Sequence, residues 1–341
     1  MQKLKFAVLG TGFWSDYQLA GWQELGGVQP IAFYNRTVAK AQKLADHYGV
    51  KDVYDDVDKL LDKHAGELDF VDIITDVGTH SLFTEKAASR GINVICQKPM
   101  APTLDAAKRM VASCEATDVK FFIHENFRWQ APIRKLKEIL DSGVIGQPFK
   151  ANVCFCSGFP VFENQPFLKD LEQFILTDIG SHVLDICRFL FKEVESLYCQ
   201  TQRVNPTIKG EDVANVLLRM KSGLSCIVQM SYASILEREV FPQTLITVEG
   251  EEGSVSLAHN YLLKITTRKG TLTEIAKPRE YAWLDPAYAL VHSSIVDCNR
   301  NILSGLRGGL NTETTGKDNF ETVRLVHTAY KSAKENKVIL L

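Results

Sequence analysis

The sequence predicts an α/β protein in which a doubly wound parallel sheet is followed by an α+β domain with a mainly antiparallel open sheet. Two patterns and the chain length support this prediction. Over residues 1–125, short apolar strand-like runs alternate with helical segments, whereas many of the later strand-like runs follow one another directly. Alternation implies crossover connections and a parallel sheet covered on both faces, and consecutive strands imply antiparallel pairing. A chain of 341 residues is long enough for roughly two domains.

The first predicted domain covers residues 1–125 and begins with a strand. Gly91 is expected to end one helix and Thr103 to cap the next, because these residue types favour those positions. The predicted strands are residues 4–9, 30–34, 70–75, 92–96 and 119–124, and the predicted helices run to about residue 25 and over residues 38–48, 79–90 and 103–116.

The second predicted domain covers residues 126–341 and changes in character. Lys221-Ser222-Gly223 and the segment from Glu249 to Glu252 resemble hairpin turns between strands. The predicted strands are residues 149–156, 196–203, 214–220, 224–233, 244–248, 253–257 and 261–267, and the predicted helices are residues 131–141, 172–191, 288–304 and 320–334.

Composition and charge exclude several classes of function. A formal net charge of -2 offers no basic face for nucleic acid or for a membrane. The chain enters a strand at once, so we expect no signal peptide, and no apolar run approaches the roughly 20 residues that cross a bilayer. The eight cysteines lack a CxxC pair, and Cys154 and Cys156 are expected to be free or buried thiols instead of a metal or redox pair. We therefore expect a cytoplasmic protein without a metal site.

The turn after the first strand has the glycine pattern of a dinucleotide-binding Rossmann domain. In G-x-G-x-x-G the first glycine makes the tight turn, the second lets a pyrophosphate approach, and the third allows close packing of helix on strand. Here Ser15 occupies the third glycine position. It departs from the pattern, but serine is small enough to serve there. An ordinary strand-to-helix turn is the alternative, but the alternating series favours a cofactor. The residues expected to contact it are Gly10, Thr11, Gly12, Phe13 and Trp14.

The end of the second strand bears on the choice between NAD and NADP. A carboxylate at this point accepts hydrogen bonds from the adenosine ribose and repels a 2′-phosphate. This chain has Asn35-Arg36-Thr37 instead, and Arg36 could pair with a phosphate. The cofactor is therefore expected to be NAD(P), with a preference for NADP. A solvated arginine beside a helix cap is the alternative interpretation.

Several motifs in order give the chain a resemblance to the glucose–fructose oxidoreductase and inositol dehydrogenase family, Gfo/Idh/MocA. Each motif is common alone, but their order and spacing are specific, and the resemblance covers nearly the whole chain. The motifs are Ile73-Ile74-Thr75-Asp76 with Gly78-Thr79-His80, Gln97-Lys98-Pro99, Asn126-Phe127-Arg128-Trp129, Ser142-Gly143-Val144-Ile145-Gly146, and Asp178-Ile179-Gly180-Ser181-His182 leading into Leu184-Asp185.

The resemblance implies a catalytic set that the residue chemistry also supports. Lys98 would lie near the nicotinamide and hydrogen-bond the reacting oxygen. His182 would act as general base for a substrate hydroxyl and as acid in the reverse direction. Asp178 lies one turn earlier on the same helix face and would contact substrate or Lys98. The alternative is that Asp178 is a helix cap and His182 a histidine of the core.

Other residues are assigned by position along the same motifs. The family usually has glutamate and proline where this chain has Gln97 and Asp76, and both changes would alter polarity near the cofactor. These motif residues also have structural interpretations: Arg128 could form an ion pair between domains, Trp129 could be structural, and His80 could be scaffolding. Further cofactor contacts are expected at Thr75, His80, Gln97 and Lys98, and substrate contacts at Asn126, Arg128 and Trp129.

The expected function is hydride transfer between a nicotinamide cofactor and a secondary alcohol or ketone of a sugar, cyclitol or related polyol. A nucleotide-binding regulator with the same fold is the alternative, although it would not need Lys98, Asp178 and His182. Apolar residues on both faces of the strand at 224–233 predict an interface. Since relatives commonly associate through this sheet, we expect a homodimer or homotetramer.

Overall fold

The computed structural model describes residues 2–239 and 241–341, which form two compact units. The first contains the chain up to Asn126 together with Ile295–Val323, and the second contains Phe127–Ser294 and Arg324–Leu341. These units differ from the predicted division at residue 125 because residues 295–323 pack with the first unit. The predicted division into a dinucleotide-binding and a substrate-binding domain concerns function and stays a prediction.

The first unit is built on a sheet of six parallel strands. Their order is β3-β2-β1-β4-β5-β6, so the direction of winding reverses between β1 and β4. The strands are β1 (Leu4–Leu9), β2 (Val28–Tyr34), β3 (Asp52–Tyr54), β4 (Phe70–Ile73), β5 (Asn93–Gln97) and β6 (Phe121–His124), and the helices between them are α1 (Phe13–Leu25), α2 (Val38–Tyr48), α3 (Val57–His64), α4 (Val77–Ala88) and α5 (Leu104–Ala116).

The predicted fold class is confirmed, and the local signals explain most of the boundaries. Thr103 caps α5, where its hydroxyl accepts a hydrogen bond from the backbone N–H of Ala106. The strand β3 and the helix α3 were not predicted, because β3 has only three residues and lies in a segment rich in charge. In α3, Val57, Leu60 and Leu61 are buried at helical spacing.

One face of the parallel sheet carries an aromatic cluster. The rings of Phe6 on β1 and Phe70 on β4 stack with centroids 4.8 Å apart, and the indole of Trp22 on α1 lies 5.6 Å from Phe70. All three side chains are buried. Since side chains two residues apart share a face of a strand, Asp72 projects from β4 to the same apolar side as Phe70.

The second unit contains a nine-stranded mixed sheet. Its order is β14-β13-β12-β11-β7-β10-β9-β8-β15, and every pairing is antiparallel except that between β7 and β10. The strands are β7 (Pro148–Cys156), β8 (Val194–Gln202), β9 (Val213–Met220), β10 (Ser225–Ser231), β11 (Leu245–Gly250), β12 (Gly253–Ala258), β13 (Leu262–Thr267), β14 (Gly270–Ile275) and β15 (Ile339–Leu340).

Within the described residues, five α-helices follow the first sheet. They are α6 (Ala131–Asp141), α7 (Val161–Asn164), α8 (Ser181–Phe191), α9 (Ala289–Leu306) and α10 (Gly316–Glu335). The helix predicted over residues 172–191 begins later, with a π-turn over Leu176–Gly180 that runs directly into α8. The strands β14 and β15 were not predicted. No helix in the described part of the chain is long and apolar enough to span a membrane.

Candidate active site

Gly10 allows the turn after β1 to touch the end of β4. Its φ of +104° favours glycine, and a Cβ there would lie 2.7 Å from the carbonyl carbon and oxygen of Ile74. Two backbone segments can pass this closely only because residue 10 has no side chain. The turn is thereby held at the carboxyl edge of the sheet, where the winding reverses and where such folds bind ligands.

Gly12 leaves open space at the start of α1. It occupies the N-cap position, and a Cβ on it would meet nothing within 4 Å. The first N–H groups of a helix lack intrahelical partners and attract anions. A pyrophosphate therefore fits beside Gly12, where a side chain would take its place. The neighbouring Phe13 is 60% exposed and Trp14 is partly buried, and both rings pack against Tyr17.

Ser15 replaces the third glycine of the pattern, and its position shows how this replacement is accommodated. The residue is completely buried, and its hydroxyl donates a hydrogen bond to the carbonyl oxygen of Gly12. Helix α1 therefore still packs closely on the sheet. The serine also braces the turn that Gly12 forms, and the glycine pattern keeps its geometry.

Asn35 and Arg36 differ in how far their side chains are already hydrogen-bonded to other residues. The amide of Asn35 donates to the hydroxyl of Thr11 at 2.7 Å and accepts from the backbone N–H of Thr37 at 2.8 Å, so Asn35 ties the first turn to the end of β2. Arg36 is exposed, and its guanidinium has no hydrogen bond or ion pair with the described residues. It is the cation at this strand end that remains available to a ligand.

Lys98 follows β5 and is held on both sides by polar contacts. Its backbone N–H donates to the side-chain oxygen of Gln97 at 3.3 Å. On the other side, one ring nitrogen of His80 lies 3.1 Å from the carbonyl oxygen of Pro99, and the second lies 3.1 Å from that of Thr75. His80 therefore ties the end of β4 to the loop that carries Lys98.

The ring of His80 itself is almost completely enclosed. It is 1% exposed, and burial lowers its pKa, while hydrogen bonds to backbone carbonyls oppose that shift. The enclosure and the two backbone contacts agree with the interpretation of His80 as scaffolding, and its direct contact with the cofactor stays a prediction. Thr75 is partly exposed, and its hydroxyl accepts a hydrogen bond from Thr79 at 2.7 Å.

The second unit carries Asp178 and His182 on consecutive turns of one helical segment. Asp178 lies within the π-turn, a rare feature often associated with functional sites. The His182 ring is buried and stacks on Phe127 with centroids 3.7 Å apart and planes 7° apart. Tyr232 donates from its hydroxyl to Asp178 at 3.3 Å. Burial, and then the charge of Asp178, raise the pKa of Tyr232 well above its ordinary value.

The start of this helical segment is capped by residues that sequence reasoning missed. One carboxylate oxygen of Glu211 accepts from the backbone N–H of Phe174 and the other from that of Leu176, each at 3.3 Å. The hydroxyl of Tyr330 donates to Glu211 at 2.7 Å and accepts from the N–H of Thr177 at 3.1 Å. No local motif reveals these contacts. They explain why the helical segment begins at this point and not at residue 172, where it was predicted to begin.

The three expected substrate contacts are all buried. Arg128 forms a bidentate ion pair with Asp185, with contacts of 2.7 and 2.6 Å. Arg128 thus forms an ion pair, but both partners belong to the second unit, so this pair is not the one between domains that the alternative interpretation expected. The guanidinium of Arg134 lies 4.3 Å from the ring centre of Trp129. Asn126 ends the first unit, and substrate contact at these positions stays a prediction.

The first unit brings the expected cofactor residues to one edge of its sheet. They follow β1, β2, β4 and β5, which are adjacent in the order β2-β1-β4-β5 and parallel. Lys98 belongs to the first unit, whereas Asp178 and His182 belong to the second. A doubly wound sheet with this glycine turn and a lysine at its carboxyl edge defines a dinucleotide-binding oxidoreductase.

Comparison with known proteins identifies the family. Residues 4–125 match the model of the oxidoreductase family with NAD-binding Rossmann fold, Gfo/Idh/MocA, and residues 133–256 match the Gfo/Idh/MocA C-terminal domain. The chain is 41% identical to a D-apiose dehydrogenase of Paraburkholderia graminis, over 100% of this chain and 90% of the relative. A D-apiose dehydrogenase of Rhizobium rhizogenes is 40% identical, over 99% and 98% of the two chains. The chain belongs to the Gfo/Idh/MocA family.

A solved structure agrees over the whole length. An oxidoreductase of Agrobacterium radiobacter, in complex with NAD+, L-tartaric acid and magnesium, has a TM-score of 0.97 and 39% identity, and the match covers 99% of this chain and 98% of that one. The predicted family and enzyme class are confirmed. The protein is an oxidoreductase whose first domain has the NAD-binding Rossmann fold.

Proposed function

We propose that this protein oxidises D-apiose, or a sugar very similar to it, at a CH–OH group. The observation that carries the proposal is the lysine loop. Gln97 and His80 fix Lys98 at the carboxyl edge of the sheet, the same edge that carries the turn formed by Gly10 and Gly12. The choice of sugar is supported by two D-apiose dehydrogenases that are 41% and 40% identical over nearly the whole chain. Relatives named for inositol or D-xylose are 24% and 26% identical.

The proposed chemistry divides one oxidation between the cofactor and two side chains. Bound NAD(P)+ supplies the acceptor for the hydride that leaves the substrate carbon. The Lys98 ammonium donates a hydrogen bond to the reacting oxygen and stabilises the negative charge that develops there. Neutral His182 takes the hydroxyl proton as general base and returns it in the opposite direction.

Two contacts within the second unit support these roles. Phe127 covers one face of the His182 ring, so the imidazole has a fixed plane. Tyr232 donates to Asp178, which orients the carboxylate and keeps it an acceptor for substrate hydroxyls. We propose that Asn126, Arg128 and Trp129 support the substrate site through packing and the Arg128–Asp185 ion pair.

We propose that Arg36 decides between NAD and NADP. Gly10, Thr11, Gly12, Phe13, Trp14, Asn35 and Thr75 would provide the remaining contacts that hold the dinucleotide. Because Asn35 already bonds Thr11 and Thr37, exposed Arg36 is the group at this position able to pair with a 2′-phosphate. A preference for NADP is the consequence that we propose.

The outward face of the nine-stranded sheet is the surface that we propose for assembly. Leu217 on β9 is 48% exposed, Ile227 on β10 is 43% exposed, and the two residues are directly opposed across the strands. An apolar pair at the centre of a sheet face favours association, and we propose a homodimer or homotetramer. None of the eight cysteines forms a disulfide, which supports a reducing compartment such as the cytoplasm.

The decisive experiment is a substrate screen. Purified protein is assayed with D-apiose, D-xylose, myo-inositol and other sugars, with NAD+ and NADP+ in parallel, by the absorbance of the reduced nicotinamide. We expect D-apiose to give the highest kcat/KM and Lys98→Ala to abolish the signal. Turnover of a different sugar would correct the substrate, whereas the absence of turnover on every sugar with either cofactor would overturn the proposed function.

A further inference from the structure

A chain of buried polar side chains runs from the middle of the first unit to the catalytic lysine. The carboxyl group of Asp72 accepts from the side-chain amide of Gln18 at 2.6 Å and from the indole N–H of Trp22 at 2.9 Å. The amide nitrogen of Gln97 in turn donates to the side-chain oxygen of Gln18. The oxygen of Gln97 accepts from the backbone N–H of Lys98 at 3.3 Å. Asp72, Gln18 and Trp22 are completely or almost completely enclosed.

The donors and acceptors of this chain fix its direction. An ionised carboxylate only accepts and an indole N–H only donates, so Gln18 must turn its amide nitrogen toward Asp72. Its oxygen then faces residue 97, which must donate. A glutamine does so and still has an oxygen for Lys98, whereas an ionised glutamate at 97 would oppose the Gln18 oxygen. The side chain at 97 is thus dictated by the carboxylate at 72.

We propose that Asp72 is a positioning residue for Lys98, acting through Gln18 and Gln97 to fix the backbone from which the catalytic ammonium projects. This inference rests on the role proposed for Lys98. The hydrogen-bonded series Asp72–Gln18–Gln97, called the relay below, holds the backbone of Lys98 on its amino-terminal side. His80 holds the carbonyl group of the following residue, Pro99. Since Asp72 lies beside Phe70 and Trp22 and makes no ion pair with a described cation, its carboxylate is retained at a desolvation cost.

Burial has a measurable effect on this group. It raises the pKa of Asp72 from 3.8 to about 7, although the hydrogen bonds from Trp22 and Gln18 oppose the shift. A carboxyl group kept there despite its cost is consistent with a role in orienting the lysine loop.

The direction of the relay provides a sharp test, because it can be reversed. In the double variant Asp72→Asn/Gln97→Glu, the negative charge moves from residue 72 to residue 97, at the other end of the relay. Trp22 then donates to the oxygen of the introduced asparagine, whose amide nitrogen donates to Gln18. Gln18 donates to the introduced glutamate, and that glutamate accepts from the Lys98 N–H. Every donor and acceptor is paired again. While both carboxyl groups are ionised, Gln97→Glu places a carboxylate on each side of Gln18, and the side-chain oxygen of Gln18 must face one of them. In Asp72→Asn one donor loses its acceptor.

We expect each single variant to lower kcat by about tenfold to a hundredfold, the usual effect of a small misplacement of a catalytic group, with the Kd for NADH little changed. The double variant should recover to within severalfold of wild type. Assays use a buffer alkaline enough to ionise Asp72. Trp22→Phe is the matched control: it removes the other bond to Asp72 and should lower stability without lowering kcat. Gln18→Met, which interrupts the relay with a side chain of similar length, should behave like the single variants.

A second readout does not depend on turnover. Reductive ¹³C-methylation gives Lys98 an NMR signal that is assigned by its loss in Lys98→Ala. That signal should shift in the single variants and return toward its wild-type position in the double variant. Folded single variants with wild-type kcat and an unshifted signal would overturn the inference, as would a double variant whose losses simply add. If wild type oxidises no sugar but the Lys98 signal follows the swap, the proposed function fails and the relay stands.

Discussion

His182 is the residue on which the proposed proton transfer depends most directly. Its ring is held in place by stacking on Phe127, 3.7 Å away, so a substitution removes a group whose orientation is already fixed. The neighbouring Asp178 is bound by Tyr232 and cannot simply take its place as a mobile base.

We expect His182→Ala to lower kcat by roughly a hundredfold to ten-thousandfold, the usual contribution of a positioned acid–base group, while the Kd for the cofactor stays unchanged. Because only neutral imidazole accepts a proton, wild-type sugar oxidation should show an acidic limb in which the rate rises with pH. That rise should disappear in His182→Ala. His259→Ala removes an exposed histidine and should change neither quantity. A normal pH–rate profile in His182→Ala would assign the base elsewhere.

Arg36 gives the second prediction at this scale. If its guanidinium pairs with a 2′-phosphate, Arg36→Ala should weaken NADPH binding by roughly tenfold to a hundredfold, since a charged hydrogen bond contributes about 1.5 to 3 kcal/mol. NADH binding should change little. Fluorescence titration with both cofactors measures the difference, and Lys40→Ala, an exposed cation on α2, is the control. Equal losses for the two cofactors would show that Arg36 does not recognise the phosphate.

At the scale of elements, the helical segment that carries Asp178 and His182 depends on distant partners. Tyr330 bonds both Glu211 and the N–H of Thr177, so its hydroxyl joins the cap to the first turn. Tyr330→Phe should therefore reduce the free energy of unfolding by about 1 to 3 kcal/mol and also reduce kcat. Urea denaturation and steady-state assays measure the two effects. Tyr198→Phe, which removes an exposed hydrogen bond to Asn336, should cost less and leave kcat intact; equal effects would contradict the capping role.

How well each element could be predicted from the sequence depends on the distance along the chain between that element and the residues that fix its ends. Thr103 caps a helix within three residues, and Gly10 belongs to a short motif, so local pattern was sufficient for both. Glu211 caps Phe174 across 37 residues, and Tyr330 reaches Thr177 across 153. The hydrophobic periodicity of the sequence contains no information about contacts between residues so far apart. The strand β14 was missed for another reason: all six of its residues are exposed, so no buried run marks it.

At the scale of the whole molecule, the prediction concerns assembly. We expect light scattering to give a dimer or tetramer at micromolar concentration, and Leu217→Glu/Ile227→Glu to shift the population to smaller species, because two charges would be buried in the proposed interface. Leu82→Glu places the same change at a leucine on α4 that is 51% exposed and should not alter the mass. A wild-type protein that is a stable monomer would contradict the proposed interface.

The enclosed carboxyl group of Asp72 also makes folding a proton-uptake reaction. Its pKa is about 7 in the folded chain, whereas an unfolded aspartate titrates near 3.9. Between these values the native state holds a proton that the unfolded state has released, so the free energy of unfolding falls as pH rises from about 4 to about 7 and then levels off. Asp72→Asn should lose this component of the slope, whatever constant offset it adds. Chemical denaturation of both proteins across that interval measures it, and parallel slopes would show that Asp72 titrates normally. The protein would thus be more resistant to unfolding in mildly acidic than in neutral solution, as far as this one group is concerned.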